Sequence, residues 1–224
     1  MSVRRLVMLR HGQTEFNATS RMQGQLDTEL SDLGRAQAVA AAEVLAKRQP
    51  LVIVSSDLRR AHDTAVTLGE RAGLPVRMDA RLRETHLGDW QGLTHTEVDA
   101  AAPGARLAWR EDATWAPHGG ENRIDVAERS LPLVAELVAA ETGWGADPEQ
   151  RPVVLVAHGG LIAALTAALL RLPVANWPAL GGLANASWVQ LSGHPAADRG
   201  GDPEAISWRL DVWNASAQVA NDVL

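Results

Sequence analysis

Two strand-like runs constrain this chain more than any other feature: "RRLVMLR" at residues 4–10 and "PVVLVAHGG" at residues 152–160. Their apolar centres do not alternate with polar residues. Each therefore suits a strand covered on both faces, as inner strands of a parallel sheet are. A third run, "LVIVSS" at residues 51–56, has the same character. Segments of helical period separate them. "LSDLGRAQAVAAAEVLAKRQP" predicts a helix that starts near Ser31 or Asp32 and is closed by Pro50. "DLRRAHDTAVTLGERAG" predicts another, with Asp57 placed to favour its N-terminus. "LPVRMDARLRE" reads as a short strand leading into a loop, and "SLPLVAELVAAE" and "LIAALTAALLRL" read as helices. "ASWVQLS" and "AISWRLDVW" predict a hairpin at the sheet edge. The alternation predicts an α/β fold, a mostly parallel central sheet with helices on both faces. With 224 residues, one domain over 1–224 is expected.

Composition narrows the function classes. Residues are 46% hydrophobic and 21% charged, and no apolar run approaches the roughly 20 needed to span a bilayer, so no membrane partner is expected. "MSVRRL" leads into the first strand without a small-residue cleavage site. A secretory signal is therefore not expected, and a cytoplasmic protein whose mature chain starts here is. The absence of cysteine removes disulfides, thiolate nucleophiles and cysteine metal clusters. In that context the sequon-like Asn17, Asn185 and Asn214 read as ordinary asparagines. A net charge of −6 argues against a nucleic-acid partner.

Ligands of open parallel sheets bind outside the carboxyl ends of the strands. "VMLRHG" and "LVAHGG" each place a histidine and a glycine there, and "VIVSSDLRR" delivers Arg59 and Arg60 in the first turn of its helix. Singly, each residue has an ordinary structural role. Jointly, His11, His158, Arg10 and Arg60 converge on one sheet edge, where turns and helix N-termini favour an anion through free N–H groups. Guanidinium groups bind phosphate through paired, charge-assisted hydrogen bonds and stabilise charge on a phosphoryl group in transfer. A neutral imidazole can attack phosphorus, which makes His11 a candidate nucleophile. Its other nitrogen needs an acceptor to hold the attacking tautomer, and the sequence does not name one.

The chain resembles the histidine phosphatase superfamily, the phosphoglycerate mutase-like fold, over essentially its whole length. The resemblance is carried by "LRHGQTEFN", "SRMQGQLDTELSDLGRAQA", "SSDLRRAHDTA", "LRETHLGDWQGLT", "GGEN" and "VAHGG", in the family's order. It implies that His11 takes up the phosphoryl group while Arg10, Arg60 and His158 bind its oxygens, with Gly159 beside them. Asn17 and Gln23 resemble the family's further phosphate-pocket and substrate-loop contacts. Glu84, in "LRE", corresponds to the general acid that protonates the leaving alkoxide and then, as a carboxylate, helps activate water. Such an acid benefits from a raised pKa, which bound phosphate favours and nearby Arg81 and Arg83 oppose. The partner implied is a phosphorylated small molecule, with no cofactor and no metal, because arginines and histidines neutralise the charge themselves.

Phosphatases and mutases of this fold share the phosphohistidine step. "RHGQTEFN", "QGQLDTELSDLGR" and "LGDWQGL" resemble the phosphatase branch. The segment from about 97 to 122 is expected to be a lid or specificity insertion, with Arg106 and Arg110 better placed than its tryptophans for a second anionic group. Trp109 and Trp115 read equally well as core of a small helical subdomain. Glu121 could line the pocket or cap the following helix. His62 and His86 are candidates for proximity to the site, while His95, His118 and His194 read as surface or loop residues. Trp177, Trp188, Trp208 and Trp213 read as packing or interface residues, and a homodimer is expected.

Overall fold

The computed structural model describes residues 3–196 and 206–217. In chain order the elements are β1 (Arg4–Arg10), α1 (Glu15–Ala18), α2 (Asp32–Leu45), β2 (Val52–Ser55), α3 (Arg59–Ala72), β3 (Val76–Met78), α4 (His95–Ala101), α5 (Ala105–Glu111), α6 (Arg123–Ala140), β4 (Val153–Ala157), α7 (Gly159–Leu169), β5 (Trp188–Pro195) and β6 (Ile206–Ala215). Six strands form one sheet in the order β3-β2-β4-β1-β5-β6. The first four are mutually parallel, whereas β5 runs antiparallel to β1 and β6 antiparallel to β5. The expected edge hairpin is thus present as β5 and β6, and the linker of the two strands lies partly outside the described residues.

Strand geometry divides the core. Successive side chains point to opposite faces. Leu6 and Met8 of β1 join Val153 and Leu155 of β4 against α6 and α7, while Val7, Leu9, Val154 and Val156 pack against α2 and α3. All eight side chains are fully buried. Burying one aliphatic side chain of this size is worth about 1.5–3 kcal/mol, so the two-faced burial explains the continuous apolar runs.

Polar side chains cap the starts of α1, α2, α4 and α6, whereas α3, α5 and α7 start without a side-chain cap from their N-cap residue. Ser31 caps α2 through its side chain on the Gly34 N–H, and Gln49 takes the left-handed conformation just before Pro50. Asn122 caps α6 in a reciprocal capping box with Asp125, starting that helix seven residues before the predicted Ser130. Asp57 does not cap α3. Its carboxylate is held by Arg83 at 2.8 and 2.6 Å, and the Arg59 N–H is capped at 2.8 Å by Asp27. A planar guanidinium offers two charge-assisted bonds where a single N–H offers one.

Among the described residues, no helix is long and apolar enough to cross a membrane.

Candidate active site

The site follows from strand register. Arg10 of β1 lies opposite Ala157 of β4, so the next residues, His11 and His158, leave the sheet side by side. Their ring centroids are 5.1 Å apart, close to the ~4.8 Å spacing of adjacent strands. Ser56 leaves β2 at the same edge, 3.0 Å from His158 Nε2 through its hydroxyl. Arg60, on the first turn of α3, is 1% exposed, His11 2% and His158 0%. The sequence therefore brings His11, His158, Arg10 and Arg60 together as expected.

Proton positions follow from the partners. His11 Nδ1 lies 2.6 Å from the Gly12 carbonyl. A carbonyl only accepts, so Nδ1 carries the hydrogen and the Nε2 lone pair is free. Gly12 is the acceptor that the sequence left unnamed. Burial, reinforced by the Arg60 and Arg10 charges, holds the His11 pKa well below the usual histidine value. At neutral pH the ring is therefore uncharged. His158 is depressed in the same way, first by burial and then by Arg60. Ser56 Oγ accepts from the Leu58 N–H, so its own hydrogen is available to His158 Nε2. When that hydrogen is donated to Nε2, His158 Nδ1, buried without a partner, carries the ring's N–H.

The two arginines are fixed yet incompletely satisfied. Arg60 donates to the carbonyls of Leu26 and Gly24 at 2.7 and 2.8 Å, and Arg10 donates to the Leu183 carbonyl. Both retain a buried Nε without a partner. Burial lowers both pKa values, that of Arg60 to about 10, while the Glu84 charge offsets part of the effect. Cations held out of water in this way are costly unless an anion compensates them, which makes the edge an oxyanion site.

Glu84 occupies the N-terminus of α7. One carboxylate oxygen accepts from Thr85 N at 2.8 Å and Leu161 N at 3.0 Å, the other from Gly160 N at 3.0 Å. A Cβ on Gly160 would lie 2.6 Å from a Glu84 oxygen, so the glycine permits this contact. Arg81 and Arg83 do not face it unpaired: Arg81 is taken by Asp79 and Glu136, and Arg83 by Asp57. Arg129 secures the segment instead, donating to the carbonyls of Arg81, Arg83 and Glu84. Glu121 neither lines the cavity nor caps α6. It accepts from Arg129 Nε and from the His86 N–H, each at 2.8 Å.

Asn17 and Gln23 sit in a connected polar shell. Asn17 Oδ1 accepts from the Thr14 N–H at 3.1 Å, and Gln23 Oε1 accepts from the hydroxyls of Thr14 and Thr28 at 2.9 and 2.6 Å. Asn185 donates to Asn17 Oδ1 at 3.1 Å and to the His11 carbonyl at 3.3 Å. Sequence reading missed this asparagine because it is 174 residues from His11. Asn214, with φ 58°, in turn accepts from the Ala184 N–H at 2.8 Å.

A cavity of about 520 Å³ adjoins the site at Arg10 and Glu84, while His11, Arg60 and His158 lie behind its lining. Its lining comprises Arg10, Glu84, Thr85, Gly159 and Gly160, then Trp109, Arg110 and Arg123, and residues 178 and 180–183. Arg106, by contrast, is paired through two nitrogens with Asp99 at 2.8 and 2.9 Å. Trp109 also packs edge-on to Trp90 at 6.1 Å, so it serves both the small cluster and the cavity wall. His62 lies on a separate surface groove with Val66 and Glu70, and His86 Nδ1 contacts the Gly119 carbonyl.

The buried neutral histidines predict a pH-dependent stability. Above about pH 6.5 both are neutral in either state and contribute nothing; as pH falls, only the unfolded chain gains their protons. Stability therefore drops on acidification, by ~1.4 kcal/mol per pH unit for each histidine. Urea unfolding from pH 7.5 to 5 should show a shallower loss in His158→Gln than in the parent. Identical slopes would exclude a depressed His158.

The Histidine phosphatase superfamily (branch 1) model matches residues 6–199. Over its full length the chain is 80% identical to glucosyl-3-phosphoglycerate phosphatases of Mycolicibacterium vanbaalenii and Mycobacterium tuberculosis, matching 100% of each. The solved structure of a mycobacterial glucosyl-3-phosphoglycerate phosphatase complexed with VO3 is 77% identical, covers 95% of this chain and 100% of its own, and superposes with a TM-score of 0.88. With its histidines at adjacent strand ends, its buried arginines and this extent of similarity, the chain belongs to the histidine phosphatase superfamily.

Proposed function

We propose that this chain is a phosphatase that hydrolyses glucosyl-3-phosphoglycerate to glucosylglycerate and inorganic phosphate. The observation that carries the reading is the His11 ring: neutral, tautomerically fixed by the Gly12 carbonyl, and set between buried Arg10, Arg60 and His158. The substrate follows from the full-length relatives and from "PGARLAWREDATWAPHGGE", "NWPALGG" and "RLDVWNASAQV", which resemble the same enzymes. Mannosyl-3-phosphoglycerate, differing in one hydroxyl orientation, is expected to enter the same pocket.

In the proposed reaction, His11 Nε2 attacks phosphorus while the bond to the substrate's 3-oxygen breaks. Glu84, in its protonated form, donates to that oxygen as it leaves. Arg10, Arg60 and the His158 Nδ1 hydrogen bind the phosphoryl oxygens, where charge is concentrated in transfer. Asn17 and Gln23 hold the substrate loop, and Gly159 allows close approach at the α7 N-terminus. Water then attacks the phosphohistidine, Glu84 takes its proton, and phosphate leaves with His11 restored. Residues 97–122 act as the specificity insertion of one domain spanning 1–224, a reading supported by Trp109 and Arg110 in the cavity wall. A homodimer is supported by the edge strand β6, where Leu210 and Val212 are exposed, and a cytoplasmic location belongs to the same proposal.

Incubation with glucosyl-3-phosphoglycerate and with 3-phosphoglycerate, each with and without bisphosphate, tests the reading. Phosphate release from the glucosylated compound without bisphosphate is expected. Bisphosphate-dependent isomerisation of 3-phosphoglycerate without phosphate release would replace the phosphatase by a mutase.

A further inference from the structure

The cavity that Arg10 lines also contains two polar nitrogens without hydrogen-bond partners, on Arg123 and Trp109. Arg123, the first residue of α6, is anchored by one terminal nitrogen, Nη2, which donates to the Arg110 carbonyl at 3.0 Å. Its other terminal nitrogen, Nη1, is buried with no hydrogen-bond partner, and so is Trp109 Nε1. Both residues line the same cavity as Arg10 and Glu84. Elsewhere the cations near the site are committed: Arg106 to Asp99, Arg83 to Asp57, Arg81 to Asp79 and Glu136, Arg129 to Glu121. Arg110, another guanidinium lining this cavity, is exposed.

We propose that Arg123 recognises the carboxylate of the substrate, with Trp109 Nε1–H as a second donor in the lining of the same cavity. The proposal rests on the phosphatase reading and assigns its acidic-group subsite. A carboxylate supplies what both orphaned donors lack, an acceptor with several lone pairs. It also compensates a guanidinium that has already lost much of its hydration, since burial lowers the Arg123 pKa. Phosphate at Arg10 and carboxylate at Arg123 would then hold the substrate at two points of a cavity of about 520 Å³, leaving the lining residues 178 and 180–183 for the sugar. That volume lies in the range of about 300–1,000 Å³ usual for small-ligand sites. Leaving these donors unpaired also penalises any phosphomonoester that lacks the acid, which converts the subsite from affinity into selectivity.

The test is a selectivity ratio: kcat/KM for glucosyl-3-phosphoglycerate divided by kcat/KM for its methyl ester. Arg123→Met is expected to lower this ratio roughly 10- to 150-fold, the loss typical of one hydrogen bond to a charged group. Arg123→Lys should recover part of it, and Trp109→Phe, which keeps a ring and removes the N–H, should lower it about fivefold. Because both compounds meet the same variant, damage to folding cancels from the ratio. An unchanged ratio in Arg123→Met overturns the assignment. Absence of phosphate release from the glucosylated compound by the parent protein defeats the phosphatase reading instead; Arg123 is then judged by the same ratio with 3-phosphoglycerate and its methyl ester.

Discussion

Replacing His11 by Ala lowers phosphomonoester hydrolysis by at least ~10⁴-fold and eliminates acid-labile phosphate on the protein. The expected size reflects what the rest of the site can still do. On the proposed mechanism, Arg10, Arg60 and His158 would still bind and polarise a phosphoryl group without His11, but water in the vacated volume is neither fixed nor as nucleophilic as a desolvated imidazole nitrogen. The parent ring needs no deprotonation before attack, because burial and two guanidinium charges keep it neutral. Rapid quench with ³²P-labelled substrate measures both quantities. Retention of most activity, or of the labile phosphate, would move the nucleophile elsewhere.

The second large effect is on Glu84. Glu84→Gln should slow phosphoenzyme formation from a sugar-acid phosphate by ~10²–10⁴-fold, the range of a lost general acid. An aryl phosphate, whose leaving group needs no proton, should lose much less. The substitution also exchanges one acceptor oxygen for an NH₂ group, which meets the N–H of Gly160 or Leu161 donor to donor. Phosphate affinity therefore has to be measured beside the rates, by isothermal titration, so that loss of position is separated from loss of the proton. Equal slowing of alkyl and aryl substrates would assign Glu84 a positioning role only.

Much of the fold was legible in the chain because it depends on local patterns. Uninterrupted apolar runs demanded two-faced burial, and Ser31 marked the start of α2 through capping, whereas the helix ends at Leu45 and a 3-10 turn carries the chain on toward Pro50. The His-Gly pairs at two strand ends were legible for the same reason: parallel strands must end at the same side of a sheet. Motif similarity then attached roles to Arg10, Arg60 and Glu84 that periodicity could not supply.

What escaped sequence reading has long-range partners. Asp27 caps α3 from 32 residues away, Asp57 turns to Arg83, and Asn185 reaches His11 across 174 positions. No spacing rule relates such residues. Arg106 is lost to a nearer partner: Asp99 is only seven residues away, but it meets Arg106 across the turn between α4 and α5, which periodicity does not place.

By itself, then, the sequence determined the α/β layering and the polar residues at the strand ends, because side-chain period and strand burial are properties of neighbouring residues. Only the tertiary structure decided which cations remain available. An arginine can receive an anionic ligand when packing has removed its water without supplying a carboxylate, and that balance at Arg10, Arg60 and Arg123 is set by elements far apart in the chain.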